Sequence, residues 1–262
     1  MKFWSGIIFC ALVFASCATK FGKVVKSKDK EYKLKMAEQY YATKHYDKAQ
    51  QLYTDLMPLF KGDPRFEDIY YKYAYTSYYL KDYENAENLF KTYSENFPNN
   101  SKVEECDYMR CICYYKQSPK LELEQVNTIK AMGMMQVFIN THPGSERNKK
   151  AADIIDVCRG KLELKDYRGA KLYYDMGQYR AAGVAFTTLL NGYPESPKAD
   201  EYKLMIIKSY YQYAEMSIEE KKYERYEKVI DECEDFTDRF PDSKLKKEAD
   251  YYLNLSKSII KI

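Results

Sequence analysis

One phrase recurs along this chain: a small residue followed twelve positions later by proline. The pairs are Ala86/Pro98, Ala131/Pro143, Ala182/Pro194 and Val229/Pro241. A Phe, Tyr or His precedes each proline (Phe97, His142, Tyr193, Phe240), and serine follows two or three residues on (Ser101, Ser145, Ser196, Ser243). Tyr stands three residues before the small residue in three copies, at Tyr83, Tyr179 and Tyr226. Tyr46 and Ala49 give a fifth copy of that half, with Pro64 later than the pattern requires. Fixed spacing of this kind marks an array of helical repeats, an architecture that usually binds partners.

Composition agrees. The 29 Tyr against 10 Gly, 8 Pro and one Trp suit long packed helices. A net charge of +3, from 42 basic and 39 acidic residues, lacks the footprint of a nucleic-acid binder. Only His45 and His142 are present, so histidine-based metal or acid–base chemistry is not expected. The motifs GxSxG, GxxxxGK[ST], GxGxxG and HExxH are absent. Acidic pairs such as Glu219-Glu220 read as solvated helix faces. The expectation is a chain with no catalytic residues, no metal and no cofactor.

Residues 1–16 read as a signal peptide. Lys2 is its basic start, Phe3–Ala15 is apolar apart from Ser5, and Phe14-Ala15-Ser16-Cys17 resembles a bacterial lipobox, with Phe14 where Leu is preferred. Cys17 is the expected lipidation site, and residues 17–28 a tether. Thr19–Lys35 carries seven Lys against Asp29 and Glu31, either a solvated leash or a weak attraction to anionic head groups. Cys106, Cys111, Cys113, Cys158 and Cys233 are odd in number and form no disulfide framework. They are expected to be buried apolar side chains.

The apolar stripes come in pairs. The first repeat runs from about 29 to 60, with its turn at Lys44-His45-Tyr46-Asp47. In the second, Tyr70, Tyr73, Ala74 and Ser77 lie on one helix and Tyr83, Ala86, Phe90 and Tyr93 on the next. Pro98 stops that helix and Ser101 is the expected cap of the one after. The third repeat has helices near 103–116 and 121–141. The fourth has one long helix, about 145–176, then 179–191. The fifth pairs 199–216 with 218–239, and 243–260 caps the end. The expected fold is all-α: an α-solenoid of about five helix pairs plus a C-terminal capping helix.

Pro64 to Pro98 is 34 residues, the length of a tetratricopeptide repeat, and Ala74, Tyr83, Ala86, Phe90 and Pro98 fall on consensus positions of that family. The chain resembles it. What this implies is a ligand-binding face on the first helix of each pair: Glu38 and Tyr41; Asp68, Tyr71, Tyr75 and Tyr78; Glu105, Tyr108, Ile112 and Tyr115. Tyr offers contact area at low entropic cost and a hydroxyl for backbone groups, which suits an extended or C-terminal peptide. Alternatively, individual Tyr side chains pack between repeats.

The stretch Lys161–Ala182, with Tyr173-Tyr174, Gly177, Tyr179 and Ala181-Ala182, is similar to the YfiO (BamD) family of outer-membrane assembly lipoproteins. Together with the lipobox, that resemblance covers essentially the whole chain. It implies a non-enzymatic scaffold of the β-barrel assembly machinery, anchored by lipid to the periplasmic face of the outer membrane. Its partners would be the central BamA-like barrel subunit, unfolded outer-membrane proteins and other lipoproteins. Residues 29–143 (repeats 1–3) would bind substrate and residues 144–262 (repeats 4–5 and cap) would dock the barrel subunit. Lys203 and Lys208 lie on the docking helix, although Tyr210-Tyr211 stand where other members tend to carry Arg. The competing reading is a tetratricopeptide lipoprotein serving another envelope complex, in cell-wall remodelling or Tol–Pal.

Overall fold

The computed structural model describes residues 20–261. Eleven α-helices follow a helical stretch at 20–25: α1 (Lys30–Ala42), α2 (Tyr46–Leu56), α3 (Phe66–Tyr79), α4 (Tyr83–Asn96), α5 (Val103–Lys116), α6 (Val126–Thr141), α7 (Asn148–Asp175), α8 (Tyr179–Gly192), α9 (Ala199–Glu215), α10 (Glu219–Arg239) and α11 (Lys246–Ile260). Among the described residues there is no strand. The helices pair antiparallel across short turns, so the chain is the all-α solenoid of helix pairs that its periodicity implies. None of the described helices is long and apolar enough to cross a membrane.

The chain forms two compact units that meet at Cys158/Arg159, within α7. In the first, Ala37, Ala49, Leu52, Tyr53, Leu56 and Phe60 form one core and Ala74, Ala86, Phe90, Tyr93 and Cys106 another. Cys111, Met135, Phe138 and Ala151 form a third. In the second unit, Ala170, Ala182, Phe186, Leu190 and Tyr202 pack together, as do Ile207, Val229, Cys233, Phe236 and Ala249. The recurring small residues Ala86, Ala131, Ala182 and Val229 are all at 0% exposure. They are where paired helices approach each other, and a larger side chain there would overpack the contact. Gly183 makes a still closer approach: a Cβ there would stand 2.9 Å from the Tyr210 ring.

Two kinds of turn recur. In the first, second and fourth pairs, one left-handed residue ends the first helix: Lys44 (φ 60°), Lys81 (φ 64°) and Gly177 (φ 72°). Each turn closes with the same two bonds, as in His45 N–H to Tyr40 C=O (2.9 Å) and Lys44 N–H to Tyr41 C=O (3.0 Å). This is a Schellman closure, which favours glycine, so the two lysines carry a conformational cost of about 1 kcal/mol each.

Between pairs, the turn after proline is fastened by a polar side chain. Ser145 Oγ accepts from the Arg147 N–H at 3.1 Å and donates to Glu104 at 2.6 Å. Ser196 does the same between the Lys198 N–H and Glu163, and Ser243 between the Leu245 N–H and Asp200. In the second copy the residue is Asn100, not the expected Ser101: its Oδ1 accepts from Lys102 N–H at 2.9 Å and its amide donates to Glu67. Ser101 is exposed. Asn100 sits two residues after Pro98, the same offset as the serines in the other copies.

Two segments depart from the sequence reading. α6 begins at Val126, not 121, because the buried Gln125 amide holds the carbonyls of Lys120 and Leu123, both at 2.8 Å, and Leu121 at 3.3 Å. The expected tether is partly folded: Val24 is fully buried against α1 and α2, and Phe21 packs edge-on against Tyr40 at 5.5 Å. All five cysteines among the described residues are free and buried. Burial pushes the Cys106, Cys111, Cys113 and Cys233 thiols up to about 12, leaving them un-ionised and poorly nucleophilic.

Candidate peptide-binding face

Asp68, Tyr71, Tyr75 and Tyr78 lie at i, i+3, i+7 and i+10 on α3, so a single face carries all four. The structure joins that face to the first helices of the neighbouring pairs. Lys72 reaches back to Glu38 on α1 at 2.5 Å and along its own helix to Asp68 at 2.7 Å. Lys102, just before α5, meets Asp68 at 2.7 Å. Tyr71 donates its hydroxyl to Glu105 Oε1 at 2.8 Å, and Tyr75 donates to the same oxygen. Arg147, just before α7, binds Glu105 Oε2 at 3.2 Å and Glu104 at 3.0 Å.

Three of these links span 34 residues, one repeat, as does Glu31 to Arg65: Glu38 to Lys72, Asp68 to Lys102 and Tyr71 to Glu105. Burial works against the Asp68 charge, but the Lys102 and Lys72 ammoniums outweigh it and hold the carboxyl below its ordinary range. Burial raises the Tyr71 and Tyr75 hydroxyls, and the Glu105 carboxylate raises them further, so both stay protonated donors.

Aromatic packing defines which rings are available. Tyr75 is 7% exposed and backs edge-on against Phe90 at 5.1 Å, so its ring is core and only its hydroxyl serves the face. Tyr41 is half-buried, edge-on to Tyr46, Tyr53 and Tyr79. Tyr46 stacks on Tyr79 at 4.3 Å and 19°, and Tyr79 is 43% exposed. Tyr78 is half-buried beside Tyr79 and Tyr83. Glu38 is partly buried and accepts from Tyr53 at 3.0 Å. Tyr108 packs on Phe138 at 5.4 Å beneath the Arg147 guanidinium at 6.0 Å. Ile112 packs against the core of α5–α7, while Tyr115 is partly exposed two turns beyond Tyr108.

Sequence reasoning overlooked the stacked Tyr46–Tyr79 pair and the cations Lys72, Lys102 and Arg147. The lysines had a readable signal, since each has a carboxylate 34 residues earlier.

In the second unit, Lys203 is 3% exposed and its ammonium is held between Glu232 and Asp235 on α10. It fastens α9 to α10 from inside. Lys208 is partly exposed and paired with Glu248 on α11 at 2.5 Å. A cleft of about 490 Å³ opens between α8, α9 and α10, lined by Arg180, Tyr210, Tyr213, Arg225 and Lys228, with acidic residues interspersed. Arg225 stacks 3.9 Å over the Tyr213 ring. Residues 1–16 and Cys17 lie outside the described residues.

Helix pairs closed by small residues, with a polar face on the first helix of each pair, define a tetratricopeptide-type repeat protein. A family model for the outer-membrane lipoprotein YfiO matches residues 26–182. The chain belongs to that family. A curated relative, the outer membrane protein assembly factor BamD of Caulobacter vibrioides, is 21% identical over 137 residues, which is 52% of this chain and 45% of that protein. The match therefore spans less than half of the relative's length. Among solved structures, a TPR repeats protein from Bacteroides fragilis overlaps 89% of this chain and 100% of its own, at 12% identity and a TM-score of 0.41. The TPR2AB domain of yeast Sti1, in its complex with pHSP90, overlaps 87% of this chain and 98% of its own, at 13% identity and 0.39.

Proposed function

We propose that this chain is a lipid-anchored scaffold of the outer-membrane β-barrel assembly machinery, acting by binding and positioning with no covalent chemistry. The family match over residues 26–182, which takes in the whole face built on α1, α3 and α5, carries this reading. The similarity to an outer membrane protein assembly factor supports it. The first unit binds unfolded barrel proteins and the second docks the central barrel subunit. For docking, Lys208 and the cleft cations Arg180, Lys221, Arg225 and Lys228 are accessible basic groups of α8–α10, whereas Lys203 is turned inward.

The lipid on Cys17 fits the fold. Only Ala18 and Thr19 separate it from the helical stretch at 20–25. Three residue steps span at most about 10 Å, so the anchored end of α1–α2 rides close to the bilayer surface. Lys20, Lys23, Lys26 and Lys28 are then near anionic head groups.

Affinity purification of the tagged full-length chain from detergent-solubilised membranes tests the assignment. A large barrel protein with repeated periplasmic domains is the expected companion. Recovery of cell-wall enzymes or Tol–Pal components in its place would move the protein to another envelope complex.

A second measurement tests the face. Tyr78→Ala with Tyr79→Ala removes two accessible rings and spares the buried Tyr75. Affinity for a peptide with alternating aromatic residues and a C-terminal Phe should fall about tenfold, on the order of 1.4 kcal/mol for two lost aromatic contacts. Unchanged affinity in isothermal titration would put the peptide elsewhere.

A further inference from the structure

Three hydrogen-bond donors of the candidate face, Tyr71, Tyr75 and Arg147, are already satisfied by one of this chain's own carboxylates. Glu105 accepts from two tyrosine hydroxyls on one oxygen and from Arg147 on the other. These donors come from α3 and from the turn before α7, while Glu105 itself sits in the first turn of α5. A staple between repeats needs much less. In the second unit Tyr167 makes the same 34-residue connection to Glu201 through a single hydroxyl at 3.1 Å.

The surroundings suit an anion. Lys102 stands 4.4 Å over the Tyr71 ring, and Arg147 lies over Tyr108. The charged neighbours are Asp68, paired with Lys72 and Lys102, and Glu104, paired with Arg147. The cluster opens outward: the Glu105 and Arg147 side chains are 32% and 36% exposed and Lys102 is 36% exposed. Glu105 therefore has a solvated position to move into.

Resting on the assignment of this face to peptide binding, we propose that Glu105 stands in for the α-carboxylate of a bound peptide. The C-terminus of the ligand displaces it from Tyr71, Tyr75 and Arg147. A buried hydroxyl left without an acceptor is costly, so the empty face needs an internal one. Exchanging one carboxylate for another leaves the donors satisfied throughout and costs little. Selectivity follows, because an internal segment of a polypeptide offers only neutral carbonyl acceptors, too weak to displace Glu105 from its three donors, and binds with Glu105 left in place. The face reads chain ends in preference to chain interiors.

The test is a titration of the full-length chain in detergent with one synthetic peptide in two forms. Both carry alternating aromatic residues and a terminal Phe; one ends in a free carboxylate and the other in a carboxamide. With Glu105→Gln, which keeps an acceptor of the same shape but lowers its competing strength, the acid form should bind about tenfold tighter and the amide form unchanged. Glu201→Gln, on the matching link of the second unit, should alter neither. An equal change for both forms, or no change for either, overturns the proposal while leaving peptide binding at this face intact. Loss of acid-form binding in Glu105→Gln also overturns it, by making Glu105 a contact of the ligand. Absence of binding to every protein by both peptides removes this proposal and the peptide-binding assignment together.

Discussion

Replacing Lys203 by Met is expected to lower stability by about 3 kcal/mol, a drop of roughly 6–12 °C in melting temperature for a chain of this size. The side chain it removes is 4% exposed, and its ammonium is shared by Glu232 and Asp235. Without it, Glu232, itself only 12% exposed, keeps a single cation, Lys228 at 2.7 Å. The pH dependence follows from the same site. Burial opposes the Glu232 charge, but the Lys203 and Lys228 ammoniums overcome it and hold the carboxyl below its ordinary value of 4.5. A folded-state value below the unfolded one gives stability that is present above the unfolded value and lost as pH falls through the folded one. In Lys203→Met that acid-side loss should begin at higher pH. Thermal melts across roughly pH 3–7 measure both effects. A variant with unchanged melting but no recovery of the barrel subunit would make Lys203 a docking residue after all.

Truncating Phe90 to Ala is expected to cost about 3–5 kcal/mol. The ring is fully buried, in a core with Tyr70, Tyr75, Tyr93, Cys106 and Cys113. It is also the support behind Tyr75, so the damage reaches the hydroxyl that binds Glu105. Cores in an array are local, and each pair depends chiefly on its neighbours. Amide hydrogen exchange should therefore speed up most along α3–α5 and least along α10–α11. Uniform acceleration over the whole chain would mean that the two units unfold as one.

The two variants bear on different parts of what the sequence made legible. Periodicity located the helices well where a proline or a left-handed turn stops them: α5 spans Val103–Lys116, as the stripe implies, and α7 runs unbroken through Asn148–Asp175. It did less well where a side chain does the stopping. Gln125 holds three carbonyls that would otherwise begin α6, and nothing in an apolar stripe reports that bond.

Helix phase was harder still. An amphipathic reading assumes one buried side, and the docking role that the resemblance implies for Lys203 needs an exposed side chain. But α9 packs against α8, α10 and α11, so Tyr202, Lys203 and Leu204 are all buried in succession. The candidate face divides in the same way. Its stripe of Tyr71, Tyr75 and Tyr78 was readable as a shared helix side, whereas the depth of each ring depends on the helix behind it. That is why Tyr75 is core and Tyr79, never a candidate, is open.

The links between consecutive turns carry a lesson about how such a chain can change length. Asn100 meets Glu67, and Ser196 meets Glu163, each 33 residues back. Ser145 meets Glu104 and Ser243 meets Asp200 at separations of 41 and 43. The bond is the same; the chain between its ends is eight or ten residues longer. What is inspected at each joint is the junction alone, as a mason checks the course and not the brick. Insertions that lengthen a second helix or its approach loop pass unnoticed, while a single lost hydroxyl or carboxylate at the joint does not. Descendants of such a chain should differ from one another mainly in the spans between these joints, and a graft of new sequence has its best prospects there.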